Sequence, residues 1–274
     1  MSKTILITGC SSGIGNDAAK TLHQRGWRVF ATCRKEADAA RLRREGLESF
    51  RLDYADESSI VAAVAEVGER TSGKLDALFN NGAYAIPGAT EDVPRDALRA
   101  IFEANLFGPF DLIKRCLPML YEADAGRVVN CSSVLGFAAI PFRGAYSATK
   151  FAMEGLTDSL RRENRRGKVK FILIEPGPIA TRIRQNSIPH FEKWIDWEAS
   201  RKRELYRKHL RPRLYEPQAK RDAFQLEPGA VTKKLIHAIE ARRPKHRYFV
   251  TMPTYFAALV SRLLPTSWQD AILG

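Results

Sequence analysis

The chain has 274 residues and a formal net charge of +13, and 45% of its residues are hydrophobic. That length suits one large α/β domain or two small ones, and the hydrophobic fraction is typical of a globular protein with a buried core. No apolar run reaches the length of a membrane span, and the short N-terminal run TILITG is unlike a signal peptide. We therefore expect an intracellular, cytoplasmic protein. The four cysteines lack the close spacing of a metal or redox motif, so we expect free thiols and no bound metal.

The high positive charge favours anionic partners such as nucleic acid, a membrane surface or a phosphorylated ligand. Much of it lies in three basic runs, RRENRRGKVK, SRKRELYRKHLRPR and ARRPKHR. Solvated helix faces are the more common explanation of such runs, and no zinc-finger or RRM signature accompanies them. We expect no nucleic-acid partner. A nucleic-acid binder stays an alternative, which a salt-dependent shift of duplex DNA would support.

Short runs rich in β-branched and aromatic residues alternate with helix-like segments through most of the chain. In chain order, the predicted strands are KTILIT, RVFAT, ESFRL, LDALFN, RVVNCS and VKFILIE. Helices are predicted over residues 13–24, 57–71, 96–121 and 145–166. This alternation predicts an α/β fold: one Rossmann-type, doubly wound parallel sheet with helices on both faces.

The pattern changes near residue 178. Residues 178–227 are rich in charge, proline and tryptophan and carry no strand signal. We interpret them as a helical substrate-loop insertion within a single domain that spans residues 1–274. Helical pieces are predicted over 190–209 and 228–241, followed by a last strand, RYFVT. In the apolar tail, residues 253–274, apolar side chains recur at helical spacing. The tail is suited first to core or subunit packing and second to contact with a membrane surface.

A glycine-rich loop follows the first predicted strand. In TGCSSGIG, residues 8–15, Gly9, Gly13 and Gly15 are spaced G-x-x-x-G-x-G, which differs from the commoner G-x-G-x-x-G pattern. Glycines let the backbone turn tightly and let a pyrophosphate approach, and the helix that follows directs free N–H groups at the anion. The position between strand and helix predicts a dinucleotide site.

The end of the second predicted strand, ATCRKE, indicates which dinucleotide binds. Cys33 stands where an NAD site needs a carboxylate for the ribose hydroxyls. Arg34 and Lys35 follow, and such cations suit the extra phosphate of NADP. We therefore predict NADP(H) as the preferred cofactor. NAD(H) stays possible, because the carboxylate of Glu36 could contact a ribose instead.

Tyr146 and Lys150 share one helix face in GAYSATKFA, and Ser133 lies thirteen residues before Tyr146, at the end of the fifth predicted strand. Open α/β sheets bind ligands at the carboxyl ends of their strands. Reduction of a ketone by hydride transfer leaves an alkoxide that needs a proton, and an ammonium beside a tyrosine lowers the pKa of the phenol that supplies it. Ser133 would stabilise charge on the substrate oxygen, with Ser132 as its rival.

The glycine loop, NNGA at residues 80–83 and Tyr146-x-x-x-Lys150 together resemble the short-chain dehydrogenase/reductase family, over about residues 3–182. The resemblance implies that Asn105 joins Ser133, Tyr146 and Lys150 as a catalytic residue by holding a water that links Lys150 to solvent. It implies a cofactor site formed by Thr8, Gly9, Ser11, Ser12, Gly13, Ile14, Gly15, Arg34, Lys35, Asp53, Asn80, Gly82, Tyr146, Lys150, Pro176, Gly177 and Thr181.

Within that site the resemblance places Asp53 at the adenine ring, Asn80 beside the adenosine ribose and Lys150 on the nicotinamide ribose. The order Gly82–Ala83 reverses the family's usual alanine and glycine, which leaves the backbone angles there open. The family also implies a homodimer or homotetramer, formed through the helices that hold Asn105 and Tyr146.

The predicted substrate pocket is mostly apolar. Its wall is assigned to Tyr84, Leu135, Phe137, Ile140, Phe142, Ile179 and Ile183, with Phe191 and Trp194 as lid candidates. Such a wall suits a hydrophobic ketone, aldehyde or alcohol. The stretches FATCRKEADAARL and IEPGPIATRI resemble the hydroxysteroid and retinol dehydrogenase branch. We therefore predict an NADP(H)-dependent oxidoreductase for such substrates. The alternatives are an NAD-dependent alcohol or hydroxysteroid dehydrogenase, and a non-catalytic regulatory protein that binds a dinucleotide.

Overall fold

The computed structural model describes residues 2–215 and 222–273, and within them a sheet of seven strands forms the centre of the fold. The strands are β1 Thr4–Ile7, β2 Arg28–Cys33, β3 Glu48–Arg51, β4 Ala77–Asn80, β5 Arg127–Cys131, β6 Lys170–Glu175 and β7 Arg247–Phe249. All are parallel, in the spatial order β3-β2-β1-β4-β5-β6-β7. The strand order reverses at β1 and β4, and their carboxyl ends border the crevice where such sheets bind ligands. The predicted α/β class is confirmed.

Helices cover both faces of the sheet. They are α1 Gly13–Gln24, α2 Glu36–Arg44, α3 Glu57–Thr71, α4 Arg95–Phe102, α5 Gly108–Glu122, α6 Gly144–Glu163, α7 Ile183–Trp194, α8 Arg203–Leu205, α9 Arg211–Tyr215, α10 Gly229–Glu240, α11 Met252–Leu263 and α12 Thr266–Leu273. Two π turns, Glu103–Phe107 and Tyr206–Leu210, and two 3-10 turns, Thr90–Asp92 and Val134–Gly136, lie between them. None of the helices in the described residues is long and apolar enough to cross a membrane.

Two apolar layers hold the helices against the sheet. Ile5 and Ile7 of β1 pack in one layer, with Leu22 of α1 and Leu235 of α10. Leu6, between them in sequence, packs in the opposite layer with side chains of α5 and β6. Because side chains alternate along a strand and both faces are covered, the strands are continuous apolar runs, which explains why the sequence predicts them well.

Two helix predictions are wrong in their bounds. The helix predicted over 96–121 is interrupted, because α4 ends at Phe102 and the π turn Glu103–Phe107 precedes α5. The helix predicted over 190–209 is instead α7, which begins at Ile183 and ends at Trp194, and helical structure resumes only at Arg203. Between them Ser200 donates a hydrogen bond to Asp92 at 2.7 Å, a contact distant in sequence that no local pattern predicts. The short helix α2 was not predicted.

The predicted insertion carries its own apolar cluster. Phe191, Ile195, Tyr206 and Leu210 pack together and against Tyr146. A parallel bridge between Ile179 and Leu226 joins the two ends of the insertion, although no strand was predicted there. Residues 216–221 of the predicted insertion, and Gly274 of the predicted tail, lie outside the described residues.

The tail forms α11 and α12, and α11 has two unlike faces. It buries Thr254, Ala257, Ala258 and Val260 against the rest of the chain. Its other face leaves large apolar side chains between 49% and 69% exposed, at Met252, Tyr255, Phe256, Leu259 and Leu263. The tail therefore covers part of the core, as expected, and also presents an apolar outer surface.

Candidate active site

The glycine loop is shaped by close backbone approach. Gly9 and Gly13 have φ values of +68° and +60°, in the left-handed region that favours glycine. At Gly15 a Cβ atom would lie 2.5 Å from the carbonyl oxygen of Gly9 and 2.7 Å from Asn81 Nδ2. Ser12 is the N-cap of α1 but makes no side-chain cap bond, so its hydroxyl is not used to cap the helix. This cradle of N–H groups fits a pyrophosphate.

Side chains from β4 and from Thr8 fix that loop in place. Thr8 Oγ1 accepts hydrogen bonds from the backbone N–H groups of Asn81 (2.9 Å) and Gly82 (3.1 Å). Asn81 Nδ2 donates to the carbonyl oxygens of Thr8 (3.0 Å) and Gly9 (3.3 Å). Asn81 was not among the predicted site residues, although its place in the NNGA motif signals it.

Asn80 is anchored at the carboxyl end of β4 by internal hydrogen bonds. Its side chain is 2% exposed, accepts a hydrogen bond from Tyr54 (2.7 Å) and donates to Asn130 (2.9 Å). The predicted place of Asn80 beside a ribose stays a prediction. The hydroxyl groups of Tyr54 and Thr8 also form a hydrogen bond at 2.7 Å, and this bond connects Asn80 to the glycine loop.

The reversed order of Gly82 and Ala83 causes no backbone strain. Neither residue has a positive φ, so an alanine at position 83 is accommodated. At Gly82 a Cβ would lie 3.0 Å from the ring of Tyr54. The tyrosine ring therefore fills the space that an alanine methyl would need, which accounts for the glycine at this position.

The predicted phosphate cations lie where β2 ends. Arg34 and Lys35 are exposed, and neither forms an ion pair within the described part of the chain. Glu36, whose carboxylate was the candidate ribose contact in an NAD site, forms an ion pair with Arg43 at 2.5 Å. Asp53 and Arg34 both lie near Tyr84, since Asp53 raises and Arg34 lowers the pKa of this tyrosine through their charges. The predicted phosphate cations therefore stand at the same end of the cleft as Tyr84.

Ser133 and Tyr146 meet at the carboxyl edge of β5. Ser133 follows this strand, and its Oγ accepts a hydrogen bond from Leu135 N at 3.1 Å. Tyr146 lies in the first turn of α6, and a hydrogen bond from Ser133 favours its ionised form, lowering the pKa of the phenol. Ser132, the rival serine, has a buried hydroxyl without a partner in the described residues and lies away from this contact.

Burial sets the protonation state of Tyr146. The side chain is 8% exposed, and desolvation raises the pKa of the phenol well above its ordinary value. The thiol of Cys131 adds to the rise, whereas Ser133 and Arg143 oppose it. The sequence predicted a pKa lowered by Lys150. In the chain alone burial is the larger effect, so the phenol of Tyr146 keeps its proton at neutral pH.

Lys150 lies beneath the tyrosine ring. Its Nζ is 5.6 Å from the ring centroid of Tyr146 and donates to the carbonyl oxygen of Cys131 at 2.8 Å. The side chain is 2% exposed, and burial lowers the pKa of the ammonium, opposed by Cys131 and Glu154. The buried ammonium is therefore held by one backbone bond and by the charge of Glu154.

Asn105 stands in the π turn between α4 and α5, fully buried. Its side chain bonds both backbone groups of Tyr84: Oδ1 accepts from the N–H (3.1 Å) and Nδ2 donates to the carbonyl (2.9 Å). Nδ2 also reaches the Thr149 hydroxyl at 3.3 Å, beside Lys150. The π turns of proteins are frequent at functional sites, and here it directs Asn105 at the catalytic helix.

The Pro176–Gly177 turn is tied to the serine loop and to α11. The carbonyl of Pro176 accepts a hydrogen bond from Val134 N at 2.8 Å. A Cβ at Gly177 would lie 2.1 Å from the hydroxyl of Thr251, so α11 begins directly against this turn. Thr181 lies against the cofactor loop, where its methyl group would be 3.1 Å from a Cβ at Gly13.

Only part of the predicted pocket wall surrounds Tyr146. Tyr84, Leu135 and Phe142 pack in the cluster that contains Tyr146 and the lid residue Phe191. Phe142 takes a left-handed φ of +62°, which marks local strain beside the site. The remaining wall residues lie elsewhere: Phe137 against Phe249, Ile179 on the α10 side of the sheet, and Ile140 and Ile183 on the surface.

His190 of α7 was missed by the sequence analysis. Its ring stacks on Tyr84 with a centroid distance of 4.0 Å. Burial lowers the pKa of His190, and the cations Arg34 and Lys193 lower it further. The stacking therefore brings α7 of the insertion against Tyr84, whose backbone is bonded by Asn105. Arg34, which is predicted to bind phosphate, lies near the same histidine. A single histidine in a charged insertion gives no sequence signal that it lies at the candidate site.

The family model for short chain dehydrogenases matches residues 3–191. The chain is 37% identical over its whole length to the uncharacterized oxidoreductase YbbO of Escherichia coli (strain K12), of which it covers 94%. It is 34% identical over 99% of its length to retinol dehydrogenase 7 of Mus musculus, of which it covers 87%.

Two solved structures share the fold. A short-chain dehydrogenase from Streptomyces avermitilis matches 99% of this chain with a TM-score of 0.76 at 25% identity, over 93% of its own length. A short chain dehydrogenase/reductase from Burkholderia phymatum, in complex with NAD, matches 94% with a TM-score of 0.77 at 24% identity, over 92% of its own length. With the matched family model and the full-length relatives, the chain belongs to the short-chain dehydrogenase/reductase family, in its retinol dehydrogenase-like branch, and is an oxidoreductase that acts on CH–OH groups with NAD(P).

Proposed function

We propose that this enzyme interconverts a hydrophobic ketone or aldehyde and its alcohol with NADP(H), using Tyr146 as the general acid and base. The observation that carries the proposal is the buried phenol, whose pKa Ser133 lowers and whose ring lies 5.6 Å from Lys150 Nζ, inside an apolar cluster. Ile86, Phe191 and Leu210 of that cluster suit an apolar substrate. The names of the retinol dehydrogenase relatives, which denote an apolar alcohol, support the same class.

The nicotinamide cofactor, when bound, supplies or accepts the hydride. The residues of the chain bind the substrate oxygen, transfer the proton and stabilise the charge that results. In reduction, Ser133 donates a hydrogen bond to the carbonyl oxygen, and Tyr146 gives its proton to the same oxygen as negative charge develops there. The ammonium of Lys150 and the guanidinium of Arg143 then stabilise the phenolate that remains. Asn105 is proposed to order a water that returns a proton towards Lys150.

The raised pKa of Tyr146 sets a direction for pH dependence. The phenol stays protonated through neutral pH, so ketone reduction is expected to proceed there without loss. Alcohol oxidation needs the phenolate and is expected to increase as pH rises. The test is a panel of hydrophobic ketones, aldehydes and alcohols, assayed by cofactor absorbance with NADPH, NADH and their oxidised forms. Turnover of none of them would leave the regulatory alternative, a dinucleotide-binding protein without catalysis.

For the cofactor we propose that Arg34 and Lys35 hold the additional phosphate of NADP(H). Glycines 9, 13 and 15 form the pyrophosphate cradle, and Pro176, Gly177 and Thr181 border the other end of the site. Arg34→Asp should weaken NADPH binding by about 10- to 100-fold, since a charge-assisted bond to phosphate is replaced by repulsion. NADH binding should change little. Equal affinities for both cofactors before and after the change would contradict the assignment. Arg44→Asp, on the exposed end of α2, is the matched control.

We also propose that the chain works as one domain and assembles with a second copy through α6 and the neighbouring π turn. Members of this family generally form oligomers, and Phe107, Phe151 and Leu156 of these two elements are between 44% and 54% exposed. Exposed aromatic and aliphatic groups on packed helices are typical of subunit contacts. Phe151→Glu should shift the sedimentation coefficient to that of the monomer. An unchanged value would contradict this interface.

The apolar face of α11 is proposed to touch a membrane surface from the cytoplasmic side. Tyr255, Phe256 and Leu259 suit the headgroup boundary, and a net charge of +13 complements anionic lipid. Vesicles with phosphatidylglycerol should sediment the protein and neutral phosphatidylcholine vesicles should not. Leu259→Glu should abolish sedimentation while Phe151→Glu leaves it intact. Sedimentation that both variants share would contradict the assignment.

A further inference from the structure

A buried charge cluster that the proposed mechanism does not use lies behind Lys150. Glu154 follows Lys150 by one turn of α6, and Glu175 is the last residue of β6, directly before Pro176. The two glutamates are 6% and 0% exposed. Nη1 of Arg247, in β7, donates a hydrogen bond to a carboxyl oxygen of each. One guanidinium therefore ties the catalytic helix to the strand that ends in the Pro176 turn.

The two glutamates lie in a larger network of charged groups. Besides the two glutamates, Asp158 of α6 pairs with Arg247 at 3.0 Å and with Arg161 at 2.9 Å. The carboxyl groups of Glu154 and Glu175 lie close together, because both accept from the same nitrogen of Arg247. Two carboxylates so close in a buried place cannot both ionise without a large cost. Burial, followed by repulsion from Glu154, raises the pKa of Glu175 to about 8.

Two oxygen atoms of the cluster support a retained proton. Glu154 Oε1 and Glu175 Oε2 are buried and, among the described residues, receive no hydrogen bond. Buried oxygens rarely go without a donor. A proton shared between the two carboxyl groups would provide one. The shared Arg247 donor and the two unpaired oxygens thus support a single proton on the pair at neutral pH.

The pair contacts the elements that carry Lys150 and Ser133. Glu154 raises the pKa of Lys150 through its charge, against the lowering by burial. Glu154 Oε1 also lies against the serine loop, 2.9 Å from where a Cβ at Gly136 would be. Glu175 is joined to Pro176, whose carbonyl accepts the N–H of Val134, next to Ser133.

We propose that Glu154 and Glu175, joined by one shared proton and held by Arg247, are positioning residues for the reaction. They fix the helix of Lys150 against the serine loop and the Pro176 turn, and they keep Lys150 in its ammonium form. The inference rests on the proposed roles of Tyr146 and Lys150. Within the described residues, the charged groups facing the pair are Lys150, Asp158 and Arg161 of α6, and Arg247 of β7.

The first test is the pH profile of kcat for the best ketone of the panel. Glu154→Gln removes the anion that stabilises the ammonium of Lys150, so this lysine loses its proton at lower pH. The upper pH limit of kcat should move down by about one unit. Glu154→Asp retains the charge and should restore most of the shift in the upper pH limit of kcat. Superimposable profiles for the wild type and Glu154→Gln would overturn the proposed positioning role.

The second test does not depend on turnover. Between the ordinary glutamate value of 4.5 and about 8, folded Glu175 holds a proton that the unfolded chain has lost. The melting temperature should therefore fall as pH rises through this window, and the fall should be shallower in Glu175→Gln, which imitates the protonated form. Equal slopes would overturn the shared proton. A shallower slope together with a silent ketone panel would count against the proposed function alone.

Discussion

The glycine loop and the insertion both border the candidate site, but different interactions keep them in shape. The loop depends on backbone approach: at Gly15 even a methyl group would lie 2.5 Å from a carbonyl oxygen. The insertion depends on side-chain packing, with Phe191, Ile195 and Tyr206 in one apolar cluster. Where two backbone segments lie this close, only glycine fits, whereas a packed cluster of side chains accepts others of similar volume. The cofactor half of the site is therefore the more specified, and the substrate half the more adaptable.

The largest effect is expected from a single methyl group in the loop. Gly15→Ala places a Cβ against Gly9 O and Asn81 Nδ2, so the cradle must open. Overpacking of this kind costs about 1–3 kcal/mol, and we expect a loss of cofactor affinity of about 10- to 100-fold, measured by fluorescence titration. Unchanged affinity would show that the loop is adaptable after all and would remove the contrast with the insertion.

This contrast also explains what the sequence could predict. The strands, the glycine loop and the Tyr146–Lys150 pair follow from local patterns, because period, spacing and residue type fix them within a few positions. The hydrogen bond between Asn80 and Asn130 has no local pattern, because the two residues lie on different strands. The Glu154–Arg247 contact joins residues 93 positions apart, and no local pattern encodes it.

The bounds of the helix predicted over 190–209 were missed for the same physical reason. The end of α7 is followed by a turn that Ser200 anchors on Asp92, 108 positions away. The π turn at Asn105 was also invisible, since one extra residue per turn barely changes the apolar period over 96–121.

A smaller effect is expected where the insertion meets the body of the fold. Tyr206 is fully buried, donates a hydrogen bond to Asp92 and accepts one from Ala89 N, both at 2.7 Å. Tyr206→Phe leaves the Ala89 N–H unpaired, and we expect a loss of about 1–3 kcal/mol in the free energy of unfolding in urea. Substrate KM should rise while cofactor affinity stays unchanged. A fall in cofactor affinity instead would mean that the two regions are not independent.

The smallest effect serves as the control for the loop. Gly155 lies inside α6, and a Cβ there would meet nothing within 4 Å. Gly155→Ala should therefore stabilise the protein by about 0.5–1 kcal/mol, because alanine loses less conformational freedom in a helix. Urea unfolding measures it in the Phe151→Glu background, where the proposed contact of α6 with a second copy is broken. A loss of stability would show that the surroundings of α6 are more crowded than those of an open helix face, which would weaken the argument made from Gly15.

The central claim is that Tyr146 transfers the proton, and Tyr146→Phe tests it most directly. The substitution keeps the ring in its apolar cluster and removes only the hydroxyl that Ser133 contacts. Turnover of the best ketone in the panel and the affinity for NADPH are measured on the same preparation. We expect kcat to fall by about 100- to 10,000-fold, the usual contribution of a general acid, while NADPH affinity stays within a few-fold. Turnover within a few-fold of the wild type, with cofactor still bound, would contradict the account.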